Sequence, residues 1–255
     1  MLLAIDIGNT NTVVGLYENS RMIDFFRVTS SRSLTSDEAG FLVTGLVERM
    51  KVSREQIDRL VIGSVVPSLT PVYKRMGERF FGCLPIIVSA EITLPIEIKI
   101  DEPSQVGADR IANAVAAKFL IGPPAIVVDF GTAINFDIID RDGAYIGGVL
   151  LPGPETSMAE LARRAARLFE VGFTKTDTVI GKNTRHALQS GLFYGTLGQV
   201  DYLLDKIIEE AGFSSCTVVA TGGLASGLEG HSRHITRVEP TITLDGLRLI
   251  AEAQA

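Results

Sequence analysis

Residues Ala4 to Leu16 read AIDIGNTNTVVGL. The apolar run Leu2, Leu3, Ala4, Ile5 leads into an acid, Asp6. A polar corner of Gly8, Asn9 and Thr10 follows, and then a second apolar run, Val13, Val14, Leu16. The spacing predicts strand, tight turn, strand. A turn built from a glycine, an amide and hydroxyls presents backbone N–H groups with no bulky side chain in the way, so it can wrap a phosphate. Asp6, where the first strand ends, is placed to hold a hydrated cation beside that phosphate. Taken alone, the stretch is explained equally well as an ordinary hairpin.

Its recurrence tips the balance. Ala125 to Ile139 reads AIVVDFGTAINFDII. Again an apolar strand meets an acid (Asp129), a glycine stands two residues on (Gly131), a threonine follows (Thr132), and a second apolar strand leads to a polar turn. After the glycine the spacing differs by one residue, so the repeat is degenerate and not a tandem array. Two halves of similar size, each opening with a hairpin and continuing into helices, imply a duplicated α/β domain. The expected division is 1–108 and 109–255, with a cleft in which two phosphate-type loops face one another.

Bulk properties agree with this. The chain has 255 residues, 46% of them hydrophobic and 21% charged, which is enough for a substantial core in one large domain or two ordinary ones. A net charge of −6 with no long basic run argues against nucleic acid as the main partner. The two cysteines, Cys83 and Cys216, sit in no CxxC or Cys/His cluster, so neither a disulfide framework nor a structural zinc is expected and a reducing cytoplasm fits. No signal peptide and no membrane span is expected.

The remaining elements follow from local pattern. Met22 to Val28 reads as a third strand, and Thr35 with Glu38 has capping-box spacing before a helix. Arg59 to Val66 is a buried strand, Thr70 to Phe81 a helix, Pro85 to Val88 a short strand and Glu91 to Ile100 an extended edge. A helix begins at Ala108-Asp109-Arg110, another spans Met158 to Phe169 with Leu161, Ala165 and Leu168 inward, and a long one runs from Asn183-Thr184 to Glu210. Gly191, Gly195 and Gly198 each weaken that long helix by roughly 1 kcal/mol relative to Ala, which suggests a close helix contact, between subunits among other options. Thr217 to Ala220 is a strand running into Thr221-Gly222-Gly223, where glycines let backbone lie against a nucleotide. Leu244 to Ala253 is a final helix.

Three carboxylates stand out. Asp6 and Asp129 end equivalent strands, and Asp109 opens a helix. Asp109 reads as a plain N-cap on local grounds. With Gly107 before it and Arg110 after it, it also reads as a base toward a hydroxyl that attacks phosphorus, the arginine binding an anionic group bidentately. Asp137 is the rival to Asp129, eight residues on, facing the same side or the opposite one. His186, His231 and His234 are spaced unlike metal ligands and read as surface residues. No GxxxxGK[ST] loop and no GxSxG occurs, which excludes a P-loop mechanism and argues against covalent hydrolysis.

DIGNTNT, GSVVP (Gly63 to Pro67), VGADR (Val106 to Arg110), DFGTA (Asp129 to Ala133), GGVLLPG (Gly147 to Gly153), GKNT (Gly181 to Thr184), SGLFYG (Ser190 to Gly195) and TGGLA (Thr221 to Ala225) occur in this order. Together they resemble the type III pantothenate kinases, members of the acetate and sugar kinase, heat-shock chaperone and actin superfamily. The resemblance implies two ribonuclease H-like (actin-like ATPase) domains, each a mixed sheet flanked by helices. It implies ATP-dependent phosphorylation of pantothenate, the first step of coenzyme A synthesis, by a cytoplasmic homodimer using Mg²⁺ and a monovalent cation (K⁺ or NH₄⁺). Carried over by position, the first ATP loop is Asp6, Ile7, Gly8, Asn9, Thr10, Asn11, Thr12 and Val13, with Asp6 reaching Mg²⁺ through water, and Thr132 also binds the phosphates. Asp109 is then the catalytic base, Gly107, Ala108, Asp109 and Arg110 hold pantothenate with Thr184, and Asp129 binds the monovalent cation. Ile100 stands where many members have tyrosine, Glu102 where many have asparagine, and Ile134-Asn135 where threonines are usual. Two other readings remain: a non-catalytic regulatory relative of transcription accessory factors, and a kinase of the same superfamily for a sugar or short acid. GADR and GKNT disfavour the second.

Overall fold

In a computed structural model of the chain, which describes residues 1–254, the opening stretch is a hairpin. Its arms are β1 (Leu2–Ile7) and β2 (Asn11–Glu18), antiparallel from Leu2 opposite Tyr17 to Ile7 opposite Thr12. The other edge of β1 takes β4 (Arg59–Ser64) in parallel, with Asp6 opposite Gly63. A strand paired on both edges and covered on both faces must be apolar nearly throughout, and in β1 only Asp6 is not fully buried. With β3 (Arg21–Thr29) and β5 (Ile86–Ile87) the sheet has the order β3-β2-β1-β4-β5. The helix α1 (Ser36–Arg49) starts at the expected capping box, in which Glu38 N donates to Thr35 Oγ1 and Thr35 N to Glu38 Oε2. The next helix, α2 (Thr70–Met76), continues as a π turn through Phe81. Leu3, Ile5, Val14, Val43, Ile62, Tyr73 and Met76 form the core beneath them. The chain then reaches α3 (Ala108–Ala116).

The second unit repeats the plan. β6 (Ala125–Phe130) pairs antiparallel with β7 (Ala133–Ile139), which pairs antiparallel with β8 (Tyr145–Pro152). The helices α4 (Pro154–Arg164) and α5 (Thr184–Glu210) follow. β9 (Thr217–Gly222) returns parallel to β6 with Asp129 opposite Thr221, and β10 (Ile235–Val238) lies parallel to β9. The order β8-β7-β6-β9-β10 is that of the first sheet, element for element. Its own core contains Ile126, Val128, Phe136, Phe193, Val200, Leu204 and Ala220.

The expected division at 108/109 differs from the observed one. Met1–Phe119 forms one compact unit with the segment that begins at Thr241, and Leu120–Pro240 forms the other. Thus α3 and the last helix, α6 (Ile242–Ala253), both pack with the first sheet. Other local expectations also shift. Glu91 to Ile100 is irregular, with a single bridge at Ile98. The helix expected over Met158–Phe169 starts at Pro154, whose fixed φ suits a first helical position, and ends at Arg164. Leu161, expected inward, is exposed. No helix among the described residues is long and apolar enough to cross a membrane.

Candidate active site

Ligands of open α/β sheets gather at the carboxyl ends of the parallel strands. In the first unit that end carries the hairpin turn. Gly8 N donates to Asn11 O at 3.0 Å, Ser30 N to Thr10 O at 2.9 Å, and Ser30 Oγ to Gly8 O at 2.6 Å. Ser30 therefore clamps the turn from the end of β3, leaving Asn9 and Thr10 exposed at its tip. Asp6, Asn11 and Val13 are half-buried. Ile7 and Thr12 are fully buried, and the Thr12 hydroxyl is engaged by Ser30 at 2.9 Å and by Tyr73. Within the expected ATP loop, these two positions can offer a ligand only their backbone.

The Gly107–Arg110 segment arrives at the same end. Val65 N donates to Ile7 O at 3.0 Å, which extends the β1–β4 pairing past Ser64. Gly107 caps α3, and a Cβ there would lie 3.2 Å from Val65 Cγ1 and 2.5 Å from Asp109 Oδ1. Glycine thus gives the Asp109 carboxyl room to fold back over the helix start, where Oδ1 accepts the Arg110 N–H at 2.8 Å. The N-cap is Gly107, and Asp109 takes over part of its bonding from the second helical position. Burial raises the Asp109 carboxyl above its ordinary value, while the Arg110 N–H and the Arg110 charge pull the other way. A carboxyl so placed accepts a proton more readily than a solvated one.

In the second unit the equivalent end carries the Gly131–Thr132 turn. Gly131 N donates to Ala133 O at 2.9 Å; Thr132 O accepts from Gly153 N at 2.9 Å and from Thr156 Oγ1 at 2.8 Å. A Cβ on Gly153 would run into the carbonyl oxygens of Gly131 and Thr132, so only glycine lets α4 start there. Gly222, at φ +92°, has its missing Cβ 2.5 Å from Asp129 Oδ1, which lets the half-buried acid lie against the end of β9. Across the ladder from Asp129 stands Asn135, whose buried Oδ1 has no hydrogen-bond partner. Asp137 is fully buried on the same face as Asp129 and Asn135, with the Tyr145 hydroxyl 3.4 Å from its Oδ1, and so reads as structural.

Thr184 is exposed at the first position of α5, next to Asn183, whose Oδ1 caps the helix by accepting His186 N at 2.9 Å. The loop before it is tied down by Tyr194 Oη donating to Thr176 O at 2.9 Å and by His186 Nε2 at 3.0 Å from Thr178 O. Of the expected residues, the structure brings Asp6 and its turn together with Gly107–Arg110, and Asp129 together with Thr132 and Gly222. Sequence reasoning gave no site role to Ser30, Gly153 or Asn135. Ser30 and Gly153 follow the third strands of the two repeats at matching positions, so aligning the repeats one strand further finds both.

The sequence profile of the type III pantothenate kinases matches residues 2–206. The type III pantothenate kinase of an Exiguobacterium species is 41% identical over 252 residues, covering 99% of this chain and 98% of its own. That of Myxococcus xanthus is 43% identical over 250 residues, covering 98% and 97%. Among solved structures, a Campylobacter jejuni protein bearing a Baf family transcriptional activator name aligns over 99% of this chain and 98% of its own, with a TM-score of 0.61 and 21% identity. A ROK hexokinase from Thermus thermophilus aligns over 99% of each chain with a TM-score of 0.54 and 14% identity. Those two structures share the fold. The sequence relatives, matched almost end to end, go further: this chain belongs to the type III pantothenate kinase family.

Proposed function

We propose that the protein transfers the γ-phosphoryl group of ATP to the hydroxyl of pantothenate, the opening step of coenzyme A synthesis. Asp109 is the base. Its carboxylate takes the hydroxyl proton as that oxygen bonds to the γ-phosphorus and the bond to the β–γ bridging oxygen breaks, leaving ADP and a phosphate monoester. Arg110 meets the pantothenate carboxylate, and Gly107, Ala108 and Thr184 line the substrate. The turn from Asp6 to Val13 and Thr132 hold the ATP phosphates. The observation that carries this reading is the desolvated Asp109 carboxyl at the start of α3, at the same sheet end as Asp6 and its turn.

Neither phosphate loop contains a lysine, so charge on the phosphates falls to backbone dipoles and cations. Mg²⁺ bound with ATP neutralises that charge, with Asp6 reaching it through water. Asp129 suits a monovalent cation, K⁺ or NH₄⁺. The orphaned Asn135 Oδ1 opposite it supports this, because a carboxylate beside a neutral oxygen acceptor is a donor set for a weakly hydrated cation. ATP as donor implies work in the cytoplasm. We also infer a homodimer. A groove of about 280 Å³ between α4 and α5, floored by Gly191 and Gly195, supports a packing surface for a second copy. ADP release measured with pantothenate, sugars and short hydroxy acids tests the whole reading. Release with pantothenate alone is expected; release with a sugar but not pantothenate would overturn it.

A further inference from the structure

The last helix lies beyond the stretch that the family profile matches, yet it packs in the unit that carries Asp109. Against the sheet it fills two glycine sockets: Cβ atoms on Gly15 and Gly63 would each come 2.9 Å from Leu244 Cδ1 and Leu247 Cδ2, respectively. On the β2 side, Tyr17 Oη donates to Asp245 Oδ1 at 3.0 Å, and the Arg248 guanidinium lies 5.7 Å from the Tyr17 ring centre. Burial, and then Asp245, push the Tyr17 phenol well above its usual value, so it remains a donor.

The third contact reaches the helix of the base. Gly246 crosses α3 so closely that a Cβ would strike the Ala112 carbonyl. Beside that crossing, Thr243 Oγ1 donates at 2.8 Å to Oδ1 of the fully buried Asn113. Asn113 is four residues after Asp109, hence one helical turn further along the same face. Ala108, at the start of α3, also meets Gly63, the socket that Leu247 fills. The height and rotation of α3 are therefore set by α6.

We propose that Thr243 and Gly246 are positioning residues for Asp109: through Asn113 and Ala112 they fix how deep the base is buried and where its carboxyl points. The inference rests on Asp109 being the base. The charge that acts on the Asp109 carboxyl is that of Arg110, on the same helix; on α6, Asp245 accepts from Tyr17, and Arg248 lies over the Tyr17 ring and pairs with Glu252.

The test is the pH profile of kcat/KM for pantothenate in Thr243→Val, Thr243→Ser and Asp109→Asn. Thr243→Val keeps the volume but removes the Thr243 hydroxyl bond to Asn113 Oδ1, so α3 resettles and water gains on Asp109. The acid limb is then expected to move toward the ordinary carboxylate range, with kcat down about tenfold and KM for ATP unchanged. Thr243→Ser should restore both. Tyr17→Phe, which loosens α6 from β2 alone, should shift the limb the same way by less. A Thr243→Val enzyme that melts earlier but keeps the wild-type kcat and acid limb would overturn the proposal and leave α6 a structural helix. Full activity in Asp109→Asn would instead remove the base assignment, and this inference with it.

Discussion

β1 and β6 carry their acids at the same place, fifth of six residues, with identical burial on either side. The return strands, β2 and β7, repeat one burial pattern along their first seven residues. The differences lie at the tips. The first turn spans the three residues between Ile7 and Asn11, the second the two between Phe130 and Ala133. Each is held by an equivalent backbone bond, Ser30 N to Thr10 O and Gly153 N to Thr132 O; the first adds the Ser30 hydroxyl on Gly8 O, the second the Thr156 hydroxyl on Thr132 O and the close backbone approach at Gly153 and Gly222. Asp6 has Val13 and Gly63 as ladder neighbours, Asp129 has Asn135 and Thr221. On the ladder, then, the first acid is flanked by two residues without side-chain oxygens and the second by two that have them. The two units share one frame and differ at the tips. The carboxylate proposed as base belongs to neither hairpin, since Asp109 comes from α3.

Removing that unrepeated carboxylate should therefore have the largest effect. Asp109→Asn is expected to lower kcat roughly 100- to 10,000-fold, as loss of a general base does, while the amide oxygen still accepts the Arg110 N–H. Stability should move the other way. The folded protein holds the Asp109 carboxyl above its unfolded value, so between those two values the folded state binds more protons than the unfolded one. Wild-type stability therefore falls as pH rises through that window. Melting curves should show Asp109→Asn more stable than wild type at neutral pH, with the gap closing below about pH 4. A variant that is less stable at neutral pH would show that the carboxylate is paid back by partners in the fold, and that it is structural.

The two clamps come next. Gly153→Ala puts a methyl against the Gly131 and Thr132 carbonyls, and overpacking of that kind costs about 1–3 kcal/mol. Ser30→Ala deletes a hydroxyl bonded to Gly8 O and Thr12, which costs about 1 kcal/mol. Denaturant melts should rank them in that order. ATP affinity should fall in both, since both loosen a turn proposed to hold the phosphates. Equal costs would mean that the backbone clamp yields as easily as the hydroxyl one.

Much of this frame is legible in the residues, and the limits are physical. The hairpins, the capping box at Thr35 and the span of α5 follow from local pattern, because periodicity and caps act over a few residues. β10 escapes because ITRV is short, with a bulge between Ile235 and Arg237 and two exposed residues, so no alternation survives. That the last segment is helical can be read, but its destination cannot. Nothing in LDGLRLIAE names a sheet, and Gly15, Gly63 and Gly246 acquire meaning only once Leu244, Leu247 and Ala112 lie against them. In the same way Asn135 reads as a family departure, and only the fold reveals its unpaired oxygen opposite Asp129.

The oxygen-rich surroundings of Asp129 can be tested directly. Thermal shifts in KCl against choline chloride read cation binding without turnover. Asp129→Asn should abolish the K⁺-dependent rise in melting temperature, and Asn135→Leu should weaken apparent K⁺ affinity about tenfold, the lower end for loss of a supporting group at a metal site. The same K⁺ dependence in Asn135→Leu as in wild type would confine the cation's ligands to other groups. Loss of K⁺ dependence in Asp6→Asn but not in Asp129→Asn would reverse the assignment of the two tips.

The smallest effects concern glycines with opposite surroundings on two helices. Gly246 on α6 has no space for a Cβ, whereas Gly191, Gly195 and Gly198 on α5 have nothing within 4 Å. An alanine at an open helical position should stabilise the helix by about 0.5–1 kcal/mol. Gly198→Ala, just beyond the groove that Gly191 and Gly195 line, should do so. If the groove seats a second copy, Gly191→Ala with Gly195→Ala should raise the stability of the separated chain and yet weaken the dimer, because the added methyls occupy the surface the partner needs. Sedimentation velocity across a concentration series separates the two effects. A dimer unchanged by the pair, with all three alanines adding stability alike, would place the subunit contact elsewhere and leave the α5 glycines as an open face.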